Sequence, residues 1–360
     1  MTTALCELPQ HVIDILTAGI HAPSGDNCQP WAFRVKGNRI DLYLRPEVDQ
    51  SFFNFKQAAS VISCGSVLEN MQIKAADLGF QLEYEIDNTF DFSRPIVNIQ
   101  SEKLKKVAPE QIELAHAIFK RYTNRKVYKR KTIPSAYLEL LEREATSIPG
   151  CKLCLFTDRK DIFKWARLVY MADRLRNERR DLHEHLIDMI RWTEEESLAR
   201  RDGLPLKNLE AGLAGELFLK ATKSWKVMSF CNVTGLSRLI AFHSFRLMLF
   251  SSAIGIILIP QMNLTDVLQG GRAIERVWLR INNMGMSAQP MTAITLFLIR
   301  WHEQRADFVN KHQKILAKIA NTVEGYFPGL DGVPLFLFRI GYADRIKHPT
   351  FRFDLGHFLC

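Results

Sequence analysis

Apolar residues recur with helical and strand periods along the first hundred residues, and these periods predict the elements. Val12 to Ile20 carries apolar residues at helical spacing, whereas Phe80 to Ile86 alternates apolar and polar residues as a half-buried strand does. The predicted order is a helix (about 9–21), strands (about 30–46), a helix (about 56–79), a strand (about 80–87) and a polar linker near Asp87 to Lys106.

The pattern continues through the rest of the chain with one long interruption. Its predicted elements are a helix ending around Arg121, a helix over 134–147, strands over 152–157 and 254–259, a helix over about 270–284, and a strand over 335–342. Between them, a charged segment from about 170 to 235 is helical in pattern and has no counterpart in the first half. Insertions of this length often cover a site, so we expect a helical lid.

The chain contains an internal repeat. Residues 65–80 align without gaps to residues 271–286; glycines bracket both copies, and Glu69 matches Glu275. Two copies predict two halves of one globule related by a pseudo-twofold axis. We place the first half at residues 1–100 and the second at 101–360, with the inserted lid in the second half.

Composition restricts the class of protein. The chain has 360 residues, 47% hydrophobic and 24% charged, as is typical of folded soluble proteins. Its seven cysteines are odd in number and scattered, which favours reduced thiols and a cytoplasmic location. No apolar run reaches membrane-spanning length, so we expect no membrane insertion.

The net charge of +9 invites comparison with nucleic-acid binding proteins. Basic residues cluster in residues 120–131, but no continuous basic face, zinc-finger spacing or RNA-recognition signature accompanies them. We therefore expect no nucleic-acid partner. A phosphorylated small molecule explains a local cluster of arginines more economically.

The segment Ala22-Pro-Ser-Gly-Asp-Asn-Cys-Gln-Pro-Trp31 is the first candidate site. Prolines fix φ, a glycine permits unusual dihedrals, and short polar side chains beside a turn can reach a flat ligand. These ten residues alone favour a simple polar helix-to-strand connection. Its candidate residues are Pro23, Ser24, Gly25, Asn27 and Gln29.

The second candidate is Arg121-Tyr-Thr-Asn-Arg125. Alternation in an extended segment would place Arg121, Thr123 and Arg125 on one side, and guanidinium groups bind phosphate bidentately. Solvated basic loops have the same composition, so the residues alone leave both interpretations open.

Together, these segments resemble the nitroreductase family, in which a Pro-Ser-x-x-Asn-x-Gln-Pro-Trp loop lines an FMN site. The family's Arg-x-Ser/Thr-x-Arg/Lys motif, which holds the FMN phosphate, is similar to the Arg121 segment. Two further matches follow from the resemblance. Pro290, Met291 and Thr292 correspond to a loop along the isoalloxazine with a backbone N–H facing the flavin N5, and Arg352 corresponds to a basic residue at the phosphate. Thr350 departs from the Lys or Arg of many relatives.

The resemblance implies an α+β fold, with a mostly antiparallel sheet flanked by helices and two pseudo-symmetric halves. It implies an FMN-dependent oxidoreductase that works by ping-pong hydride transfer, with NADH or NADPH as a donor. The chain looks like the double-length, fused branch of the family, whose members stand alone or occur beside ThiF-type adenylating domains. Alternatives are a flavin-storage protein without turnover and an FMN-dependent dehydrogenase of a peptide or other biosynthetic intermediate. No catalytic side chain is identified.

Two tempting metal sites fail on spacing. Cys151 and Cys154 lie on a predicted strand, where residues three apart face opposite ways. His183 and His185 are two apart on a predicted helix, which is wrong for joint binding. We therefore expect no metal.

Overall fold

Two antiparallel sheets of four strands each organise the chain. The structure is a computed structural model that describes residues 8–103, 109–326, 332–348 and 350–360. The strands are β1 (Trp31–Lys36), β2 (Arg39–Leu44), β3 (Phe80–Ile86), β4 (Val97–Lys103), β5 (Lys152–Phe156), β6 (Ile190–Arg191), β7 (Leu204–Pro205), β8 (Ala253–Ile259), β9 (Ser287–Pro290) and β10 (Val333–Gly341). Strands β6 and β7 form a separate short parallel pair.

Helices cover the sheets and build a large insertion between β5 and β8. They are α1 (Gln10–Gly19), α2 (Ala58–Asp77), α3 (Pro109–Ile118), α4 (Ser135–Thr146), α5 (Arg159–Asn177), α6 (Arg180–Met189), α7 (Glu194–Arg200), α8 (Gly212–Ala221), α9 (Trp225–Thr234), α10 (Ser237–Leu249), α11 (Leu264–Asn283), α12 (Ala293–Glu303) and α13 (Asn310–Tyr326). Within the described residues, no helix combines the length and apolarity that a membrane span requires.

The two sheets have the same strand order. The first sheet runs β1-β2-β4-β3 and the second runs β5-β8-β10-β9. In each, a long helix, α2 or α11, separates the second strand from the third. The expected α+β class with antiparallel sheets flanked by helices is therefore confirmed.

The long helices α2 and α11 cross at two glycines. Each helix has 20 residues. The first and last residues of α11 are offset from those of α2 by the same number of positions as the two copies of the sequence repeat. A Cβ added to Gly65 would lie 2.1 Å from the Leu268 oxygen, and one added to Gly271 would lie 2.1 Å from the Ile62 oxygen. These contacts are reciprocal under the repeat alignment, as they are across a twofold axis. Only glycine allows the two backbones to approach this closely.

Strand β8 is a continuous run of apolar residues because both of its faces are buried. Ile257 and Ile259 contribute to the core around α2 and α11. Ile254 and Ile256, which point the other way, contribute to a second core with α5, α12 and α13. The second sheet is thus covered by helices on both sides.

Two sequence expectations about elements were wrong. The predicted polar linker near Asp87 to Lys106 contains β4, because Val97 and Ile99 alternate inward between polar residues and pair with β2 and β3. The predicted start of the lid at about 170 falls inside α5, which buries Trp165 and Ala166 and continues unbroken to Asn177. The segment without a counterpart runs from 157 to 252, where the first half has only the turn Gly37–Asn38. The division into residues 1–100 and 101–360 stays a prediction.

Candidate functional site

A cavity of about 550 Å³ lies beside the α2–α11 pair and collects segments that are far apart in sequence. Its volume is in the range of small-molecule and cofactor sites. All the predicted cofactor-binding residues except Gln29 line it, namely Pro23, Ser24, Gly25, Asn27, Arg121, Thr123, Arg125, Pro290, Met291, Thr292 and Arg352. Thr350, the residue that departs from the family pattern, also lines it.

The loop from Pro23 to Gln29 holds its shape through strained backbone and internal hydrogen bonds. Asp26, Asn27 and Gln29 all have positive φ, between 44° and 60°. Aspartate and asparagine tolerate that region better than most residues. The Ser24 hydroxyl accepts the Gln29 N–H at 3.0 Å, so the turn closes on itself beside the cavity.

Gln29 lies behind the cavity wall, and its predicted place in the lining was wrong. Its side chain is 2% exposed, donates to the Arg201 oxygen at 2.9 Å and accepts from the Phe353 N–H at 3.2 Å. The amide therefore joins the loop, the insertion and the C-terminal segment. These partners lie far from Gln29 in sequence, so local reasoning could not find them.

Arg121 pairs with a buried carboxylate, Glu275. The Arg121 Nε lies 3.0 Å from Glu275 Oε1, its guanidinium is 5.0 Å from the centre of a Trp278 ring, and both ionic side chains are at most 5% exposed. Burial raises the pKa of Glu275, although the Arg121 charge opposes the shift. Among the described residues, Glu275 thus has one arginine partner within ion-pair distance.

Arg352 donates to Asn27 Oδ1 and points another N–H at the His21 oxygen, 3.5 Å away. In the described parts of the chain it pairs with no carboxylate. Burial, followed by the nearby Arg121 charge, lowers the pKa of Arg352. A lowered pKa means that the charged form lacks compensation, and an anion in the cavity would supply it.

Arg125 reaches the insertion rather than another charge. Its guanidinium donates to the Asn208 side chain and to the Asn208 oxygen, and burial lowers the pKa of Arg125. Asn124 points away from the cavity and bonds to Ser287 and the Asp344 oxygen. The expected alternation therefore holds for Arg121, Thr123 and Arg125, although Tyr122 lines the cavity as well.

The loop after β9 offers one backbone amide and not two. The Met291 N–H donates to the Leu337 oxygen at 2.8 Å as part of the sheet. In the part of the chain that the structure describes, no group accepts the Thr292 N–H, so of these two amides this one is left for a ligand.

Helix α2 shapes the cavity wall with short side chains at helical spacing, which the sequence analysis missed. The residues are Ala59, Ile62, Ser63 and Ser66. Small residues recurring on one face of a buried helix are a signal that could have been read from the sequence. They leave room for a ligand beside Arg121.

His185 of α6 enters the wall from the insertion and pairs with Asp26 of the loop. Its Nε2 lies 3.1 Å from Asp26 Oδ2. The hydrogen bond that His185 donates to Asp26 raises the pKa of His185 although burial opposes it. Burial acts to raise the pKa of Asp26, but the hydrogen bond and charge of His185 outweigh it, so the pKa of that carboxyl is lowered. The sequence analysis considered His185 only as a metal ligand.

Comparison with known proteins gives partial likenesses. No family model matches the chain. It is 27% identical over 342 residues to an uncharacterized protein of Mycobacterium tuberculosis, covering 93% of this chain and 46% of that protein. It is 28% identical over 133 residues to a protein of the same species named "Putative NAD(P)H nitroreductase", covering 36% of this chain and 38% of that protein. The chain thus spans less than half the length of these relatives.

One solved structure similar to the chain is an FMN-dependent nitroreductase from Mycobacterium smegmatis in complex with NADPH. The likeness has a TM-score of 0.35 and 14% identity, and covers 67% of this chain and 97% of that protein. In sequence, about a third of the chain is similar to a protein named as a nitroreductase.

Proposed function

We propose that this chain is an FMN-dependent oxidoreductase of the nitroreductase family that binds one FMN in the cavity. The observation that carries the proposal is the convergence of four separate segments, each matched to FMN binding by sequence resemblance, on one cavity. Arg121, Thr123, Arg125 and Arg352 would hold the phosphate, and Pro290 to Thr292 would run along the ring.

The donor set fits this cofactor in charge as well as in shape. The phosphate of FMN carries nearly two negative charges at neutral pH. Asp26, Asp49 and Asp173 also line the cavity, so the positive charge is local. Arg121 pairs with Glu275, whereas Arg125 and Arg352 have no ion pair in the described residues. A dianion placed beside these guanidinium groups would compensate their charge.

When bound, FMN supplies a ring that accepts a hydride from a donor, such as a reduced nicotinamide, and passes it to an acceptor. The chain's own residues orient that ring and exclude water. Of the titratable groups in the wall, we assign proton supply to His185, because Asp26 supports its protonated form.

A flavin-storage function is the second candidate, and the insertion favours it. Leu182, Leu186, Leu204 and Asn208 of the insertion line the cavity and restrict access to it. Oxidation of a peptide or other biosynthetic intermediate, and a ThiF-type adenylating partner, remain proposals that rest on the resemblance.

Stopped-flow reduction separates turnover from storage. The purified protein, loaded with FMN, is mixed with NADH or NADPH while absorbance is followed at about 450 nm, where oxidised flavin absorbs. We expect rapid bleaching followed by reoxidation with an added acceptor. Inertness toward both donors and toward dithionite-reduced carrier dyes would support storage instead, and absence of bound flavin would refute both.

We further propose that the chain is a fused pseudo-dimer with one complete site. The repeated strand order and the reciprocal glycine contacts support this. Because the second half is already in the chain, flavin should stay bound to a monomer of 41.5 kDa. Light scattering with flavin quantification tests it; two flavins per chain, or flavin lost on dimer dissociation, would contradict it.

A further inference from the structure

The outer faces of α8, α9 and α10 expose an unusual concentration of large apolar side chains. Of the sixteen exposed large hydrophobic residues in the described chain, eight lie within residues 213–242. We call these eight the helical patch. They are Leu213 (78% exposed), Leu217 (67%), Val227 (43%), Phe230 (68%), Val233 (85%), Leu236 (41%), Leu239 (63%) and Phe242 (54%).

The spacing of these residues places them on the solvent-facing sides of the helices. Leu213 and Leu217 are four apart on α8, and Leu239 and Phe242 are three apart on α10. Helices α9 and α10 already have inner faces, where Met228 is 3% and Ala241 0% exposed, whereas no residue of α8 is buried. The patch is therefore a second apolar face, and apolar surface of this kind marks an interaction site.

Positive charge surrounds the patch almost without opposition. Between residues 212 and 249 the only carboxylate is Glu216, which pairs with Lys207 at 2.9 Å. Against it stand Lys220, Lys223, Lys226, Arg238 and Arg246. In the described structure none of these five cations forms an ion pair.

This charge decides between occupants. A second copy of the chain, docked patch to patch, would bring two sets of cations together with almost no carboxylate between them. Protein interfaces are also depleted in Lys, whereas Lys220, Lys223 and Lys226 flank the patch, whose exposed apolar residues include no Tyr or Trp. Leu and Phe with snorkelling Lys and Arg are the composition of helices that lie on anionic lipid surfaces.

We propose that the helical patch docks the protein on a membrane surface containing anionic lipids, with its apolar side chains at the level of the acyl boundary. The docking helices belong to the insertion, so contact leaves both sheets in water. This inference does not depend on FMN or on turnover.

Flotation with lipid vesicles tests the proposal on the full chain. Neutral phosphatidylcholine vesicles are compared with vesicles in which about a third of the lipid is phosphatidylglycerol, at low and physiological salt. We expect flotation with the anionic vesicles, weakened by salt because surface charge is screened. Failure to float with either vesicle, at both salt concentrations, would overturn the proposal.

Variants separate the contributions of charge and apolar surface. Replacing Lys220, Lys226 and Arg238 with Gln should weaken partitioning into anionic vesicles roughly a hundredfold, because each of the three cations makes a similar contribution to attraction by the anionic surface. The matched control replaces the exposed Lys36, Lys152 and Lys318 with Gln and should float like the parent protein.

The apolar variant is Phe230→Gln with Leu239→Gln, and its control is Val309→Gln at an exposed site elsewhere. We expect loss of flotation in the double variant alone. If sedimentation equilibrium instead shows a dimer that the double variant abolishes, or if flotation is unchanged in it, the patch is not a membrane site.

Discussion

The two ends of the α2–α11 pair occupy equivalent positions in the repeat but are built differently. Three of the four α2 residues beside the cavity have short side chains, and at the other end the aligned positions of α11 carry longer ones. The aligned pairs are Ala59 with Thr265, Ile62 with Leu268, Ser63 with Gln269, and Ser66 with Arg272. Side-chain length therefore separates an open end from a filled one.

The ends also differ in how their charges are compensated. At the filled end Glu69 pairs with Arg272 and Arg276, both at 2.9 Å, and Glu144 pairs with Arg276 and Arg280. At the open end Glu275 has Arg121 alone, and Arg352 has no carboxylate partner among the described residues. A closed ion network needs no ligand, whereas excess cations favour binding of an anion.

The largest effect should come from giving the open end a side chain of the filled end. Ser66→Arg would place a long side chain in the space that the ligand would occupy, so we expect steric exclusion to lower FMN affinity by roughly a thousandfold or more. Absorbance of the purified protein measures bound flavin, and circular dichroism checks the fold.

Ser93→Arg, on an exposed loop, is the matched control and should remain yellow. Because Ser66 is fully buried, the milder Ser63→Gln serves as a second variant that copies Gln269. Yellow, folded protein from both cavity variants would refute the assignment of the cavity to flavin.

Breaking the ion network should cost stability but leave the cofactor in place. Glu69 is buried and pairs with two arginines, so Glu69→Gln should lower the free energy of unfolding by about 3–5 kcal/mol. Glu275→Gln should cost less, since that carboxylate has one arginine partner and a raised pKa. Urea unfolding measures both, and equal losses would contradict the difference between the ends.

Arg352→Gln should weaken FMN binding by about thirtyfold to several thousandfold, because it removes one charged partner of the phosphate. Riboflavin lacks the phosphate, so its affinity should change little. Fluorescence titration measures both ligands. Arg200→Gln, on the exposed surface of the insertion, is the control; equal losses for FMN and riboflavin would place the phosphate elsewhere.

The smallest effect concerns the His185–Asp26 pair and depends on pH. The raised pKa of His185 stabilises the fold fully below about 6.5, its ordinary value, and this contribution is lost as pH rises through the folded value. The pair also needs an ionised Asp26. Because the pKa of Asp26 is lowered, the stabilisation is lost again only well below pH 3.8. His185→Gln should therefore be most destabilised in mildly acidic solution, by at most about 1 kcal/mol, because solvent screens this partly exposed pair.

Thermal unfolding from pH 4 to about 9 checks this prediction. His302→Gln, an exposed histidine outside the cavity, should follow the parent protein throughout. A deficit that grows toward alkaline pH would have the wrong sign.

Sequence periodicity predicted the elements whose residues carry a strong local pattern, such as α2 and β8. Eleven of the twelve residues that the resemblance matched to FMN binding line the cavity, all except Gln29, and their role there stays a prediction. Local sequence patterns do not reveal what tertiary contacts decide: His185 meets Asp26 across 159 positions, and β4 is a strand because β2 and β3 flank its polar sequence. The sequence alone leaves the Met291 N–H available to a flavin, whereas in the structure it donates to the Leu337 oxygen of β10.

The backbone contact at Gly65 and Gly271 also determines how a ligand can leave. Because two helices touch there without side chains between them, separating the halves would require the main core to open. The insertion packs into the second core through α5 and Leu182, but beside the cavity it is held by polar contacts of His185, Asn208 and Arg201, which break and re-form more readily. We therefore expect a ligand to leave by local opening of the insertion beside the cavity rather than by separation of the two halves.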